Sequence, residues 1–336
     1  MASIFAWSQF VLCAVVIGYA GTRLSRYGDV IAEKTSLGGT WIGVVMLATV
    51  TSLPELMTGV SAVAVAGTPE IAVGDALGSC VFNLLIIVVL DFLHRGESVY
   101  TRAHQGHILS AGFGIVLIGF AGFNILLAHN AGTPALGHVG LYTPVIMVMY
   151  GVAMRTVFRY EREHYSAYVE EAPRYPGITL REASLRYAAA AVVVAAAGLW
   201  LPFVGSQIAR QMGWHESFVG TLFVAFATSV PEVVVTVAAL RLGALDMAIG
   251  SLLGSNLFDI LILAIDDVFY PDGPLLAHVS PTHAVTALSA IMMTGVAVIG
   301  LLYRPKTRVL KTVGWTSLFL FSIYLLNAYM VYLYGK

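Results

Sequence analysis

Apolar blocks long enough to cross a ~30 Å hydrocarbon core, at roughly 20 residues each, recur from one end of this sequence to the other. Ten are readable, at about 7–22, 38–66, 70–92, 106–128, 138–158, 184–204, 215–240, 244–267, 281–302 and 312–334. A backbone inside a bilayer must satisfy its own hydrogen bonds, so the spans are helices or strands of a closed barrel. The strict alternation of barrel strands is absent, and the blocks predict an all-α membrane protein of about ten transmembrane helices. Composition agrees: only 11% of residues are charged and 58% are hydrophobic, whereas a soluble domain carries about a quarter charged.

The formal net charge of −1 points to no polyanionic partner, and no basic run suggests nucleic acid. The expected partners are the lipid bilayer and small cations; oligomeric state is not legible. Cys13 and Cys80 both fall inside apolar blocks, which argues against a disulfide. The first block has no positive leader and is followed by Arg23 and Arg26. It reads as a retained helix, not a cleaved signal. Basic residues collect in alternate loops: Arg23, Arg26 and Lys34; Arg95 and Arg102; Arg155 to Arg186; Arg241; and Arg304 to Lys311. The other loops hold only Arg210, and the C-terminus only Lys336. Positive loops stay cytoplasmic, so both termini are expected outside, in a plasma (inner) membrane.

The chain repeats itself. Ala48-Thr49-Val50-Thr51-Ser52-Leu53-Pro54-Glu55 returns as Ala225-Phe226-Ala227-Thr228-Ser229-Val230-Pro231-Glu232, at an offset of 177. Gly74-Asp75-Ala76-Leu77-Gly78-Ser79-Cys80-Val81-Phe82-Asn83 returns as Gly250-Ser251-Leu252-Leu253-Gly254-Ser255-Asn256-Leu257-Phe258-Asp259, at an offset of 176. Equivalent positions lie five spans apart, an odd number, so the copies cross the membrane in opposite directions. Inverted repeats of this kind characterise secondary transporters, which bind substrate near midplane where the repeats meet. The expected organisation is a first five-helix repeat over 1–158 (motif region 38–90), a cytoplasmic linker over 159–183 rich in charge and proline, and a second repeat over 184–336 (motif region 215–265).

Glu55 and Glu232 sit inside apolar helices, where a carboxylate costs at least ~2.5–3.5 kcal/mol unless paired or hydrated. A merely structural pair is the bland alternative. Neither motif offers a basic partner, however; the neighbours are hydroxyls and amides. Residues three or four apart share a helix face, so Thr51 and Ser52 align with Glu55, and Thr228 and Ser229 with Glu232. On the following helices Ser79 aligns with Asn83, and Ser255 with Asp259. Pro54 and Pro231 lack an amide proton and free the carbonyls of Val50 and Ala227. Oxygen-only donors suit hard cations such as Ca²⁺, not Zn²⁺ or copper. The histidines near block ends, His94, His104, His107, His129, His138, His278 and His283, are expected to be interfacial or in loops. Gly74 and Gly250 read as packing notches, and Gly78 and Gly254 as notches that also allow close backbone approach. Asp75 has no acidic counterpart and is expected at the cytoplasmic entrance or in solvent; Asp91, Asp266 and Asp267, near helix ends, are expected to be interfacial.

These two segments resemble the alpha-repeats of the Ca²⁺/cation antiporter superfamily, most closely its prokaryotic sodium/calcium exchanger branch, whose pattern is Gly-Thr-Ser-Leu-Pro-Glu followed by Gly-Ser-Asn-x-Phe-Asn or -Asp. The resemblance covers about 38–90 and 215–265 directly. It implies an antiporter of Na⁺ and Ca²⁺ working by alternating access, with Glu55 and Glu232 as central Ca²⁺ ligands shared with flanking Na⁺ sites. It further implies that carbonyls of Thr51 and Thr228 help at the centre, and that those of Ala48 and Ala225 serve outer Na⁺ positions. Ser52, Ser79, Ser229 and Ser255 would surround these, and Asn83 and Asp259 would complete the middle. The first and sixth helices would slide to switch access. This sequence departs from the pattern at Val50, Ala227 and Cys80. The Ser and Thr set favours Na⁺ over H⁺ as the counter-ion, with an H⁺/divalent-cation exchanger as the alternative and a passive channel further behind. An intramembrane enzyme is not expected: Val73-Gly74-Asp75 lacks its partner motif, and no His-Glu-x-x-His occurs.

Overall fold

The computed structural model describes residues 2–35, 50–94, 97–164, 177–305, 307–309 and 313–335. Ala48, the start of the second apolar block and linker positions 165–176 lie outside the described residues. The chain is almost entirely helical: α1 (Ala2–Lys34), α2 (Leu53–Ser61, running into a π-helical turn at Ala62–Ala66), α3 (Pro69–Leu93), a short α4 (Val99–Arg102), α5 (His107–Ala131) and α6 (Tyr142–His164). Then come α7 (Leu180–Met212), α8 (Glu216–Thr228), α9 (Val230–Arg241), α10 (Leu245–Phe269), α11 (Thr282–Tyr303) and α12 (Trp315–Tyr334). Among the described residues seven helices are long and apolar enough to cross a membrane, or eight if α8 and α9, bent by 45°, form one broken span. α6 is not among them, because Arg155, Arg159 and Arg162 crowd its second half.

The first and sixth apolar blocks extend well beyond their expected limits. α1 and α7 are each 33 residues long, about 50 Å at 1.5 Å per residue, so both overreach the hydrocarbon core. They pack along each other with few polar ties: the Trp200 indole donates to Gln9 at 3.0 Å and Arg186 to the Tyr27 hydroxyl at 3.1 Å. α3 lies against α10, and α5 against α11. Cys13 and Cys80 are buried and free.

Several contacts recur at the offset of the sequence repeat. Asp91, at the end of α3, accepts from the Val99 amide (3.0 Å), the Ser98 hydroxyl (2.9 Å), the Gly314 amide and the Ser317 hydroxyl (both 2.8 Å). Asp267, at the end of α10, accepts from the Leu275 amide (2.7 Å), the Gly140 amide (2.8 Å), the Thr143 hydroxyl and the Tyr142 hydroxyl (both 2.5 Å). Gly140 and Gly314 each end the second strand of a short hairpin, β1–β2 (Ala135–Leu136 with Val139–Gly140) and β3–β4 (Arg308–Val309 with Val313–Gly314). Each aspartate thus fastens the hairpin that precedes a helix in the other half. Both are fully buried, which corrects their expected interfacial placement: a helix-end aspartate is covered here because a folded hairpin lies over it. Likewise Glu70 in α3 accepts from the Ser280 amide and His283 Nε2 (both 2.7 Å), and Asp246 in α10 from the His104 amide (2.7 Å) and His107 Nε2 (3.0 Å). The helix-end positions expected for His107 and His283 therefore hold, but both rings are buried.

A buried donor stripped of its acceptor costs about 1–3 kcal/mol. Asp267→Ala and Asp91→Ala should therefore each lower the melting temperature of the detergent-solubilised protein by several degrees. Unchanged melting of both variants would mean that these clasps contribute nothing to stability.

Candidate ion-binding site

Each motif breaks its helix at the same place. Ser52 (φ −90°, ψ 16°) and Ser229 (φ −84°, ψ 6°) precede α2 and α9, with Pro54 and Pro231 in the first turn. Proline has no amide to donate to the turn before it and its ring crowds the carbonyl four residues back, so the helix restarts there. The restart puts Glu55 and Glu232 in first turns, where exposed backbone amides and the helix dipole favour negative charge. α1 and α7 close over these breaks: a Cβ on Gly21 would lie 2.5 Å from Pro231 Cγ, and one on Gly198 would lie 3.3 Å from the Pro54 carbonyl oxygen.

Glu55 and Glu232 are each 2% exposed, and their charges lie within electrostatic reach of one another and of Asp259. The hydroxyls cross between copies. Ser229 donates to Glu55 Oε1 at 3.3 Å and stands 3.2 Å from the Ser79 hydroxyl. Thr228 approaches Glu55, as Thr51 approaches Glu232. Equivalent positions also meet directly. The Asn256 side chain donates to the Cys80 carbonyl at 3.2 Å, while the Cys80 thiol faces the Asn256 carbonyl at 3.7 Å. Asn83 donates to Asp259 Oδ2 at 3.3 Å and to Asn256 Oδ1 at 3.0 Å. The remaining oxygens are buried and accept no hydrogen bond: Glu55 Oε2, both of Glu232, Asp259 Oδ1, Asn83 Oδ1 and the hydroxyls of Ser52 and Ser255. Buried polar atoms are ordinarily satisfied, and oxygens left open around clustered carboxylates are a donor set for a hard cation. Among the described residues no three His, Cys, Asp or Glu side chains are disposed as a metal cluster, so a full shell has to draw on hydroxyl, amide and carbonyl oxygens.

Glu55, Glu232, Asp259, Asn83, Thr51, Thr228, Ser52, Ser229, Ser79 and Ser255 are all buried, and the contacts above join the two motifs through them. The Ala225 carbonyl accepts from the Ser229 amide at 3.1 Å, within its own helix. One expectation needs correction. Asp75 is neither at an entrance nor in solvent: it is 1% exposed, and Thr228 donates to its Oδ1 at 2.9 Å. α3 is buried on nearly every face there, so position along the helix was no guide to exposure. Asn256 is a site member that sequence reasoning missed, although it stands opposite Cys80 in the quoted repeat. Cys80 fills the place of an amide, and its thiol reaches Asp259 Oδ2 at 3.8 Å. Val50 packs with Leu24 of α1 and Ala190 of α7.

A family model described as sodium/calcium exchanger protein matches residues 5–158 and 185–333. The chain belongs to that family. This exchanger relative is 24% identical to the inner membrane protein YrbG of Escherichia coli over 77% of its own length and 78% of that protein's. It is 23% identical to the Ca²⁺/H⁺ antiporter ChaA of Bacillus subtilis, covering 87% and 86% of the two chains. In fold it is similar to the sodium-calcium exchanger NCX_Mj, with a TM-score of 0.59 and 20% identity over 96% of this chain and 97% of that one. The family comprises membrane antiporters of Ca²⁺ and other cations, not enzymes.

The glycines separate packing from tolerance. A Cβ on Gly78 would fall 2.4 Å from the Thr221 carbonyl oxygen and 2.8 Å from its Cα, backbone that cannot move aside. Gly78→Ala should destabilise the protein by about 1–3 kcal/mol, the usual cost of overpacking. Gly112 in α5 has nothing within 4 Å among the described residues, so Gly112→Ala should stabilise by about 0.5–1 kcal/mol. Equal melting temperatures for the two variants would contradict the close approach of α3 to α8.

Proposed function

We propose that this chain is a secondary active antiporter that exchanges Na⁺ for Ca²⁺ by alternating access at a midplane site shared by Glu55 and Glu232. One observation carries the proposal: two buried glutamates from matching motifs lie within electrostatic reach of each other, with open oxygens and no basic partner among the described residues. Up to three negative charges, from Glu55, Glu232 and Asp259, exceed what one Ca²⁺ cancels, and an uncompensated charge cannot be carried cheaply through an apolar barrier. A site that reorients only when its charge is balanced exchanges one cation load for another. Glu55 and Glu232 are the central ligands. Asn83 and Asp259 sit beside them, with Thr51, Thr228, Ser52, Ser229, Ser79 and Ser255 supplying hydroxyls or carbonyls. The Ala225 carbonyl serves an outer Na⁺ position, and Ala48 is the matching position in the first copy.

The architecture proposed is ten spans in two inverted five-helix repeats, 1–158 and 184–336, joined by the linker 159–183. In its support, equivalent positions touch each other, Cys80 with Asn256 and Asn83 with Asp259. Two copies related by a two-fold axis do so where the axis passes. Both termini are placed outside and the linker in the cytoplasm by the basic loops, in a plasma (inner) membrane. α1 and α7, bound to each other and crossing both broken helices, are the pair proposed to slide.

A second reading, H⁺ in place of Na⁺, is favoured by one feature. Asp75 adds a further buried carboxylate beside Thr228, and a site with more acids than cations can cancel is readily balanced by protons. Radiolabelled Ca²⁺ uptake into proteoliposomes should rise many-fold under an opposing Na⁺ gradient. Glu55→Gln and Glu232→Gln should each abolish that flux. Uptake indifferent to Na⁺ but driven by a pH gradient would transfer the coupling to H⁺, and a downhill leak surviving both substitutions would replace the antiporter with a channel.

A further inference from the structure

One buried acid has no place in the site just described. Asp266, on α10 next to Asp267, is 0% exposed, and neither of its carboxylate oxygens has a hydrogen-bond partner. Its neighbour shows what a satisfied carboxylate looks like in the same turn, because Asp267 accepts four hydrogen bonds. Position 90, the equivalent of Asp266 in the first half, is Leu90, so the acid is not a product of the repeat. It lies directly against α2, one turn beyond Glu55: a Cβ on Gly59 would fall 2.4 Å from Asp266 Oδ2 and 2.7 Å from Oδ1.

The charged groups acting on this position are Asp267 on its own helix and Asp75 on α3. Among the described residues no basic side chain forms an ion pair with Asp266 or Asp75. Asp75 in turn accepts from Thr228, which approaches Glu55. Asp266 and Asp75 act on each other electrostatically, with no hydrogen bond between them, and Asp75 is tied to the candidate ion site by its hydrogen bond from Thr228. An isolated carboxylate anion cannot stay charged in such surroundings. A metal cation needs several converging oxygens, and the face of Asp266 toward α2 is filled by the Gly59 backbone. A proton needs only the carboxylate.

We propose that Asp266 is a proton-binding station, separate from the Glu55–Glu232 site and lying against Gly59 of the helix that carries Glu55. The acid carries its proton when the surrounding interior is closed and releases it when hydration reaches the end of α10. Gly59 is required because any side chain would occupy the space of the carboxyl group. The inference deepens the antiporter reading and rests on it for its physiological meaning.

Infrared difference spectra of the protein in lipid, recorded across a pH step in H₂O and D₂O, test it without relying on transport. A protonated carboxylic acid C=O band should be present in the wild type, lost in Asp266→Asn, shifted or lost in Gly59→Ala, and retained in Glu55→Gln. A band unchanged in both Asp266→Asn and Gly59→Ala overturns the station, as does a band that vanishes when Na⁺ is added at constant pH. The antiporter reading is judged separately by Ca²⁺ flux. Wild type with no gradient-driven flux but an Asp266-dependent band would sink that reading and leave the proton station standing.

Discussion

Negative charge without a counter-charge is what organises this molecule. Glu55, Asp75, Glu232, Asp259 and Asp266, from α2, α3, α9 and α10, are buried, and none of them has an ion-paired base among the described residues. Such a cluster tolerates burial only if something positive enters it, and that requirement accounts for the features around it. The helices break at Ser52 and Ser229 so that amides and hydroxyls face the acids. α3 and α10 supply amides and hydroxyls from matching positions. α1 and α7 lie across both breaks, where glycine permits contact with the proline turns.

Ring and carboxylate pairs at the helix starts do a different job. His107 with Asp246 and His283 with Glu70 hold α5 to α10 and α11 to α3, and the Asp91 and Asp267 clasps lock the hairpins. Asp91 and Asp267 are as buried as the site's acids, Glu70 and Asp246 are not, and each of the four has hydrogen-bond partners. The contrast separates two kinds of acid within one chain: those rich in donors tie the frame together, and those poor in donors keep open oxygens. Asp266 and Asp267, adjacent in sequence, fall on opposite sides of that line.

Much of the plan was legible before any coordinates. Apolar block length set the kind of elements, and the doubled motif singled out Glu55, Glu232, Asn83 and Asp259, all of them buried. The Pro54 and Pro231 breaks followed from a missing amide proton. Other features were not legible, for physical reasons. Asp91 and Asp267 look like ordinary helix-end acids because the hairpins that cover them come from distant sequence. Asp75 and Asp266 have no counterpart in the other half, so the repeat gave no cue to their burial. The overlong α1 and α7 were read too short because their polar ends fall below the hydropathy of a span. A finer use of the offset would have found more: Glu70 with Asp246, His107 with His283 and Asp91 with Asp267 are all spaced by 176.

The exchanged clasps impose an order on biogenesis. The hairpin amide of Gly140 is made early, but its acceptor, Asp267, emerges from the ribosome only after more than a hundred further residues. The first half must therefore wait in the lipid with an unfinished loop, and the second half completes it while receiving the same service from Asp91. Severed between residues 164 and 177, the two pieces would each be structurally incomplete, yet each carries what the other lacks; co-expressed, they hold the information to find one another.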